Sequence, residues 1–194
     1  MILPNKIFLT GVPGSRWSGI AQLIEDNVPG FNTSDRSSEK EYSHNLFSGH
    51  KGTYFGKGML YEPYLSLEYI DNAWPKLDGC KIVKSHDWAY QLDSIREKFP
   101  DDWIMLVYRP DMPSYAWWHE AGGFNIKYPS YAAYKDSTTM LSAIMEQNNC
   151  ILKFANKHNA KWQHFSEKFV KEYFGIDTDK VDDRYYDCLI TVIS

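Results

Sequence analysis

Short apolar runs alternate with longer stretches of helical periodicity along this chain. The first run is Ile7, Phe8 and Leu9, the second Cys80–Val83, the third Asp102–Tyr108 (DWIMLVY) and the fourth Trp162–Phe165. Runs this short, apolar at successive positions, suit strands buried on both faces. Between them the spacing predicts helices. One carries Ile20, Ala21, Leu23 and Ile24; a second spans Glu62–Trp74, with Pro75 beyond it; a third covers 89–98 and is closed by Pro100. A fourth starts near Pro113, a residue suited to a first turn, and stops at Gly122 and Gly123. Thr138–His158 reads as a long amphipathic helix with Leu141, Ile144, Met145, Ile151, Leu152 and Phe154 apolar. Ser166 caps a last helix carrying Phe169, Val170, Tyr173 and Phe174, which Gly175 ends. After an acidic turn, Asp177–Asp183, the run Cys188–Ile193 is expected as an edge strand. Four strands alternating with helices predict an α/β fold, one domain over 1–194, with a parallel sheet flanked by helices.

The junction between the first strand and first helix draws attention. Gly11, Pro13 and Gly14 break the apolar run, and Ser15 is expected as the helix N-cap. A strand, a Gly-rich turn and a helix aim several backbone N–H groups at one point, a geometry that binds phosphate. A Walker A loop reads G-x-x-x-x-G-K-[ST]. Counted from Gly11, this chain has Arg16, Trp17 and Ser18 at the last three places, so the kinase lysine is absent and Arg16 is the turn's cation.

Composition narrows the ligand. A hydrophobic content of 43% with 24% charged residues describes a globular chain. The net charge of −4 argues against nonspecific nucleic-acid binding, so an anionic ligand needs a local cluster of cations. Three widely spaced cysteines, Cys80, Cys150 and Cys188, show no metal-binding spacing or disulfide framework and fit a reducing cytoplasm. Asn5 and Lys6 interrupt any apolar signal region, and no apolar run reaches the ~20 residues of a membrane span, so a cytoplasmic protein is expected. Residues 31–58 are polar and aperiodic; their second half, GHKGTYFGKGM (49–59), suits either a substrate lid or a surface loop.

In open parallel sheets ligands bind beyond the carboxyl ends of the strands. Here the first strand delivers Gly11–Ser18, the second Lys84, Ser85 and His86, and the third Arg109 and then Ser114. Each has a structural alternative: Lys84 can snorkel, His86 can cap the next helix, and Arg109 can pair with Asp111 or Asp87. Together, three cations facing a Gly-rich turn call for an anion.

At these residues the chain resembles the sulfotransferases that use 3′-phosphoadenosine-5′-phosphosulfate. KSH (84–86) is similar to that family's K-[ST]-H segment, GVPGSRWSG (11–19) to its 5′-phosphosulfate loop, and VYRPDMPSYAWWH (107–119) to its 3′-phosphate segment. WQHFSEKFVKEYFGI (162–176) resembles the later strand and helix, so the likeness covers roughly 6–26 and 80–176 in order. The resemblance implies a P-loop-containing nucleoside triphosphate hydrolase-like (sulfotransferase) fold. It assigns Gly14, Ser15, Arg16, Trp17, Ser18, Arg109 and Ser114 to donor binding, and His86, Lys84 and Arg16 to catalysis, with His86 the general base. The implied acceptor is a small molecule or carbohydrate bearing a hydroxyl or amine, and the transfer needs no metal. The chain departs from the family in three places. Gly14 stands near the usual loop lysine, the Arg109-to-Ser114 interval is short, and the C-terminal R-K-G-x-x-G-x-W-K-like clamp has no counterpart beyond Lys180 and Arg184. Two other readings remain: a nucleotide or small-molecule kinase, and a non-catalytic nucleotide-binding or interaction protein on the same fold. Trp17, Trp88, Trp117 and Trp118 are candidates for a nucleobase or acceptor pocket, and His50 and His119 for an alternative base.

Overall fold

A computed structural model of the chain describes residues 2–32, 79–125 and 135–194, together with 41–43, 51–53 and 67. The helix expected over Glu62–Trp74 (residue 67 apart), most of the 49–59 segment, His50, and 126–134 of the tyrosine-rich stretch lie outside the described residues.

Strand β1 is Lys6–Gly11, β4 is Lys81–Lys84 and β5 is Trp103–Tyr108, with β6 at Gln163–His164 and β7 at Leu189–Ile193. These five form one sheet in the order β4-β1-β5-β7-β6. Two further short strands, β2 (Glu41–Ser43) and β3 (Lys51–Thr53), pair antiparallel with each other inside the stretch expected to be aperiodic. The helices are α1 (Trp17–Asn27), α2 (Leu92–Lys98), α3 (Asp111–Glu120), α4 (Ser137–Lys157) and α5 (Glu167–Phe174). The α/β class holds, with helices flanking the sheet.

The sheet is mixed rather than parallel. β1 runs parallel to β4 and to β5, but β7 is antiparallel to both β5 and β6. The strand expected at the edge therefore lies inside the sheet, and the two-residue β6 takes the edge. The cause is the connection after α5. Gly175, at φ 71°, ends that helix, and residues 176–188 then return to the carboxyl end of β5, where Tyr108 pairs with Leu189. From there the chain can only run back down the sheet.

Register sorts the core. Phe8, Val83 and Ile104 share one face, where Phe8 packs against Trp88 and Phe99 with centroids 6.1 and 4.8 Å apart. Trp88 is thus a core residue, its indole N–H donating to the Val83 carbonyl. Ile7, Leu9, Ile82 and Trp103 share the opposite face, and Trp103 meets Phe174 of α5 there. The helix ends follow local rules: Asp136 accepts from the Thr139 N–H, and Ser166 from the Phe169 N–H.

The cap of α1 does not follow them. Ser15 is buried, its N–H donates to the Val12 carbonyl at 2.9 Å, and its hydroxyl is tucked against Gly11. The N-cap is instead Arg16, held in the left-handed region at φ 64° without a side-chain cap. Close approach explains this: a Cβ on Gly14, itself at φ 78°, would lie 1.9 Å from the Ser114 carbonyl oxygen. The turn is pressed onto α3 too tightly for Ser15 to reach outward.

Gly14→Ala forces both an overlap with backbone and a left-handed alanine, so stability should fall by at least about 2 kcal/mol, or roughly 4–8 °C in Tm. Gly175→Ala, where an added Cβ meets nothing within 4 Å, should cost only about 1–2 kcal/mol. Equal losses in thermal melts of the two variants would refute the close-contact account of the turn.

Candidate functional site

The carboxyl ends of β1, β4 and β5 form one rim, and the beginning of β7 joins it. Arg109, just beyond β5, is 7% exposed and ties four segments together. Its Nε and Nη2 donate to the Asp187 carboxylate at 2.8 and 2.7 Å, and its Nη1 donates to the carbonyls of Gly14 and Pro113, each at 3.0 Å. Arg109 thus pairs with neither Asp111 nor Asp87; its partner is Asp187, delivered by the returning chain. Its own carbonyl accepts from the Ser114 hydroxyl at 3.2 Å and from Asn148 Nδ2 at 3.0 Å. Ser114 is fully buried under Gly14 and faces protein. Of the expected donor-binding residues, Arg109, Ser114, Gly14 and Ser15 are built into the turn's support.

Arg16 and Ser18 are half-buried at the turn, and Trp17 between them is buried in the core. The Arg16 guanidinium stacks on Trp117 of α3, 4.0 Å from the ring centroid, and its Nε is buried without a hydrogen bond among the described residues. Its charge also helps hold the Asp182 carboxyl below the usual range, after the larger effect of the Arg184 hydrogen bonds. The first hydrogen bond of α1 runs from the Ile20 N–H to the Arg16 carbonyl at 3.0 Å. The N–H groups of Trp17, Ser18 and Gly19 precede it, as at any helix start. Tyr185 lies over Gly19, where an added Cβ would come 3.0 Å from its hydroxyl, and Cys188 Sγ approaches the Ser15 carbonyl at 3.5 Å. Burial pushes the Cys188 thiol up to about 12, which makes it a neutral packing group.

On the other side of the turn, Trp17 meets the His86 ring edge-on at 6.5 Å. His86 is 3% exposed and opens a 3₁₀ turn, His86–Tyr90, but the cap is Ser85, whose hydroxyl accepts from the Asp87 N–H at 3.1 Å. His86 Nδ1 lies 3.2 Å from Asp87 Oδ1 and 3.0 Å from the Gln147 side-chain amide of α4. Nδ1 thus lies between an acceptor, Asp87 Oδ1, and a donor, Gln147 Nε2, and the ring's tautomer decides which of the two hydrogen bonds forms. Burial alone would raise the Asp87 carboxyl; the charge and hydrogen bond of His86 more than reverse that, and the group sits below its usual range. A carboxylate and an amide thus lie within reach of His86 Nδ1.

Lys84 is 5% exposed and shares the sheet face of Leu9, its register partner. Burial lowers its pKa, Glu25 and Asp26 oppose the shift, and Lys81 adds to it. Glu25 and Asp26 of α1 thus lie close enough to act on Lys84, while His86 faces Gln147 of α4 and its ring meets Trp17. Trp118 is buried in an aromatic cluster with Tyr115, His119 and Phe124, and the exposed His119 bonds the Tyr115 hydroxyl at 2.8 Å.

Sequence reasoning missed Asp87, Gln147, Asn148 and Asp187. For Gln147 and Asn148 a signal existed: two amides interrupt the stripe Ile144, Ile151, Phe154 that α4 buries, and both are at most 3% exposed. Asp187 carried none, because its role depends on the reversed direction of β7.

Comparison of the chain with protein-family models, with curated proteins and with solved structures finds no match. Among the described residues no helix is long and apolar enough to cross a membrane, and no cluster of three metal-ligating side chains occurs.

Two outcomes test this geometry. Arg109→Ala leaves Asp187 and two carbonyls without their donor, and loss of one partner from a buried pair costs about 3–5 kcal/mol; urea denaturation should show it, and a loss under 1 kcal/mol would mean the clamp is dispensable. Asp87 tests the second contact through pH. Its folded pKa is depressed, so its contribution is complete above the unfolded value of ~3.9 and is lost as pH falls through the lower folded value. The Tm gap between the native chain and Asp87→Asn should therefore be wider at pH 5 than at pH 3, and a constant gap would contradict the pairing.

Proposed function

We propose that this chain is a sulfotransferase that moves a sulfuryl group from a nucleotide phosphosulfate, such as 3′-phosphoadenosine-5′-phosphosulfate, to a hydroxyl or amine of a small-molecule or carbohydrate acceptor. The observation that carries this reading is the His86–Asp87 contact beside the start of α1: a buried histidine whose Nδ1 lies 3.2 Å from a carboxylate, with the ring against Trp17. In such an arrangement Nε2 is the atom through which the ring takes the acceptor proton, and Asp87 stabilises the imidazolium that forms. The turn's N–H groups and Ser18 hold the donor phosphate, and Arg16, presented flat on Trp117, faces charge developing on the transferred group. Lys84 supports the rim with positive charge from the neighbouring strand end. The fold class within α/β proteins, the sulfotransferase P-loop arrangement, belongs to the same proposal.

The non-catalytic reading gains from one observation, that Arg109 and Ser114, expected at the donor, are buried in the support of the turn. Transfer of labelled sulfate from the donor to a panel of hydroxyl and amine acceptors separates the two. In that assay His86→Asn should lower the rate by about 10²–10⁴-fold while leaving adenosine 3′,5′-bisphosphate binding intact. Binding without transfer to any acceptor would favour the non-catalytic protein. Stabilisation by Mg·ATP equal to or above that by the bisphosphate would favour the kinase.

A further inference from the structure

In an inference that rests on the sulfotransferase reading, we infer that the donor site does not select for a phosphate on the nucleotide's ribose, because Asp187 already occupies the guanidinium that would receive one. The guanidinium of Arg109 carries five N–H donors in a fixed fork. Two meet the Asp187 carboxylate at 2.8 and 2.7 Å, and Nη1 meets the carbonyls of Gly14 and Pro113 at 3.0 Å each. A second anion approaching Arg109 meets a carboxylate and two carbonyl oxygens as well as the cation, so attraction and repulsion offset one another.

Asp187 is also held in place. The next residue, Cys188, donates its N–H to the Tyr185 carbonyl at 2.9 Å and accepts from the Phe165 N–H at 3.0 Å, and β7 begins at Leu189. Swinging the carboxylate out would uncover Arg109 while the two carbonyls still claimed its Nη1. Arg16 differs: its guanidinium stacks on Trp117, and its Nε has no hydrogen-bond partner among the described residues. The turn therefore offers one open cation, matched to one phosphate or phosphosulfate end. Asp187 is the specificity-determining residue, and adenosine 5′-phosphosulfate and its 3′-phosphorylated form are equivalent donors.

Calorimetric titration with adenosine 5′-monophosphate and adenosine 3′,5′-bisphosphate tests this on the native chain and on Asp187→Asn. The native chain should bind the two within about threefold. A charge-assisted contact to an opened arginine is worth roughly one to two orders of magnitude in affinity, so Asp187→Asn should favour the bisphosphate by about tenfold or more. A native preference for the bisphosphate of tenfold or more overturns the inference and leaves the sulfotransferase reading standing. Failure of both nucleotides to bind overturns the reading and the inference with it. Equal binding by a folded Asp187→Asn removes Asp187 from the role, and if that variant does not fold, the ratio on the native chain decides.

Discussion

Arg109 sits where four segments converge, and its guanidinium is what holds them in register. It comes from the end of β5, binds the carbonyl of the β1–α1 turn, the first turn of α3, and the carboxylate that precedes β7. Gly14 can approach α3 closely only because its carbonyl finds a donor there. The close approach in turn puts Arg16 in a left-handed conformation and turns its side chain onto Trp117. Remove the guanidinium and the turn loses the contact that fixes the direction of every N–H at the start of α1.

The remaining polar interior is organised by α4. Gln147 and Asn148 interrupt its apolar stripe and serve different strand ends, Gln147 reaching His86 and Asn148 reaching the Arg109 carbonyl and Asp111 Oδ1. One helix thereby sets the spacing between the histidine side of the rim and the arginine side. A buried amide is costly unless it is bonded, so adjacent amides on an inward face are positioned by what they bind.

Much of the fold was legible from the residues. The four apolar runs became strands, and the helix capped by Ser166 and ended by Gly175 lies where capping chemistry put it. Direction was not legible: nothing in CLITVI distinguishes a parallel edge strand from an antiparallel internal one, because an apolar run buried on both faces looks the same in either orientation. The same gap hid Asp187, and with it the character of Arg109, which looked like an anion receptor while its counter-charge was 78 residues away in sequence. His86 was readable as a strand-end histidine, but not its contact with Gln147, which depends on how α4 crosses the sheet.

The inverted strand also bears on how the molecule is assembled. Leu189–Ile193 separates β5 from β6 and pairs with both. As the chain emerges during synthesis, β1, β4 and β5 can associate early, but β5 keeps a bare, wholly apolar flank until the residues after Asp187 arrive. That flank offers a row of unmatched N–H and C=O groups to any extended segment nearby. The interval during which that flank stays bare is thus set by the time taken to deliver β7, and the carboxylate that closes the Arg109 clamp arrives immediately before it.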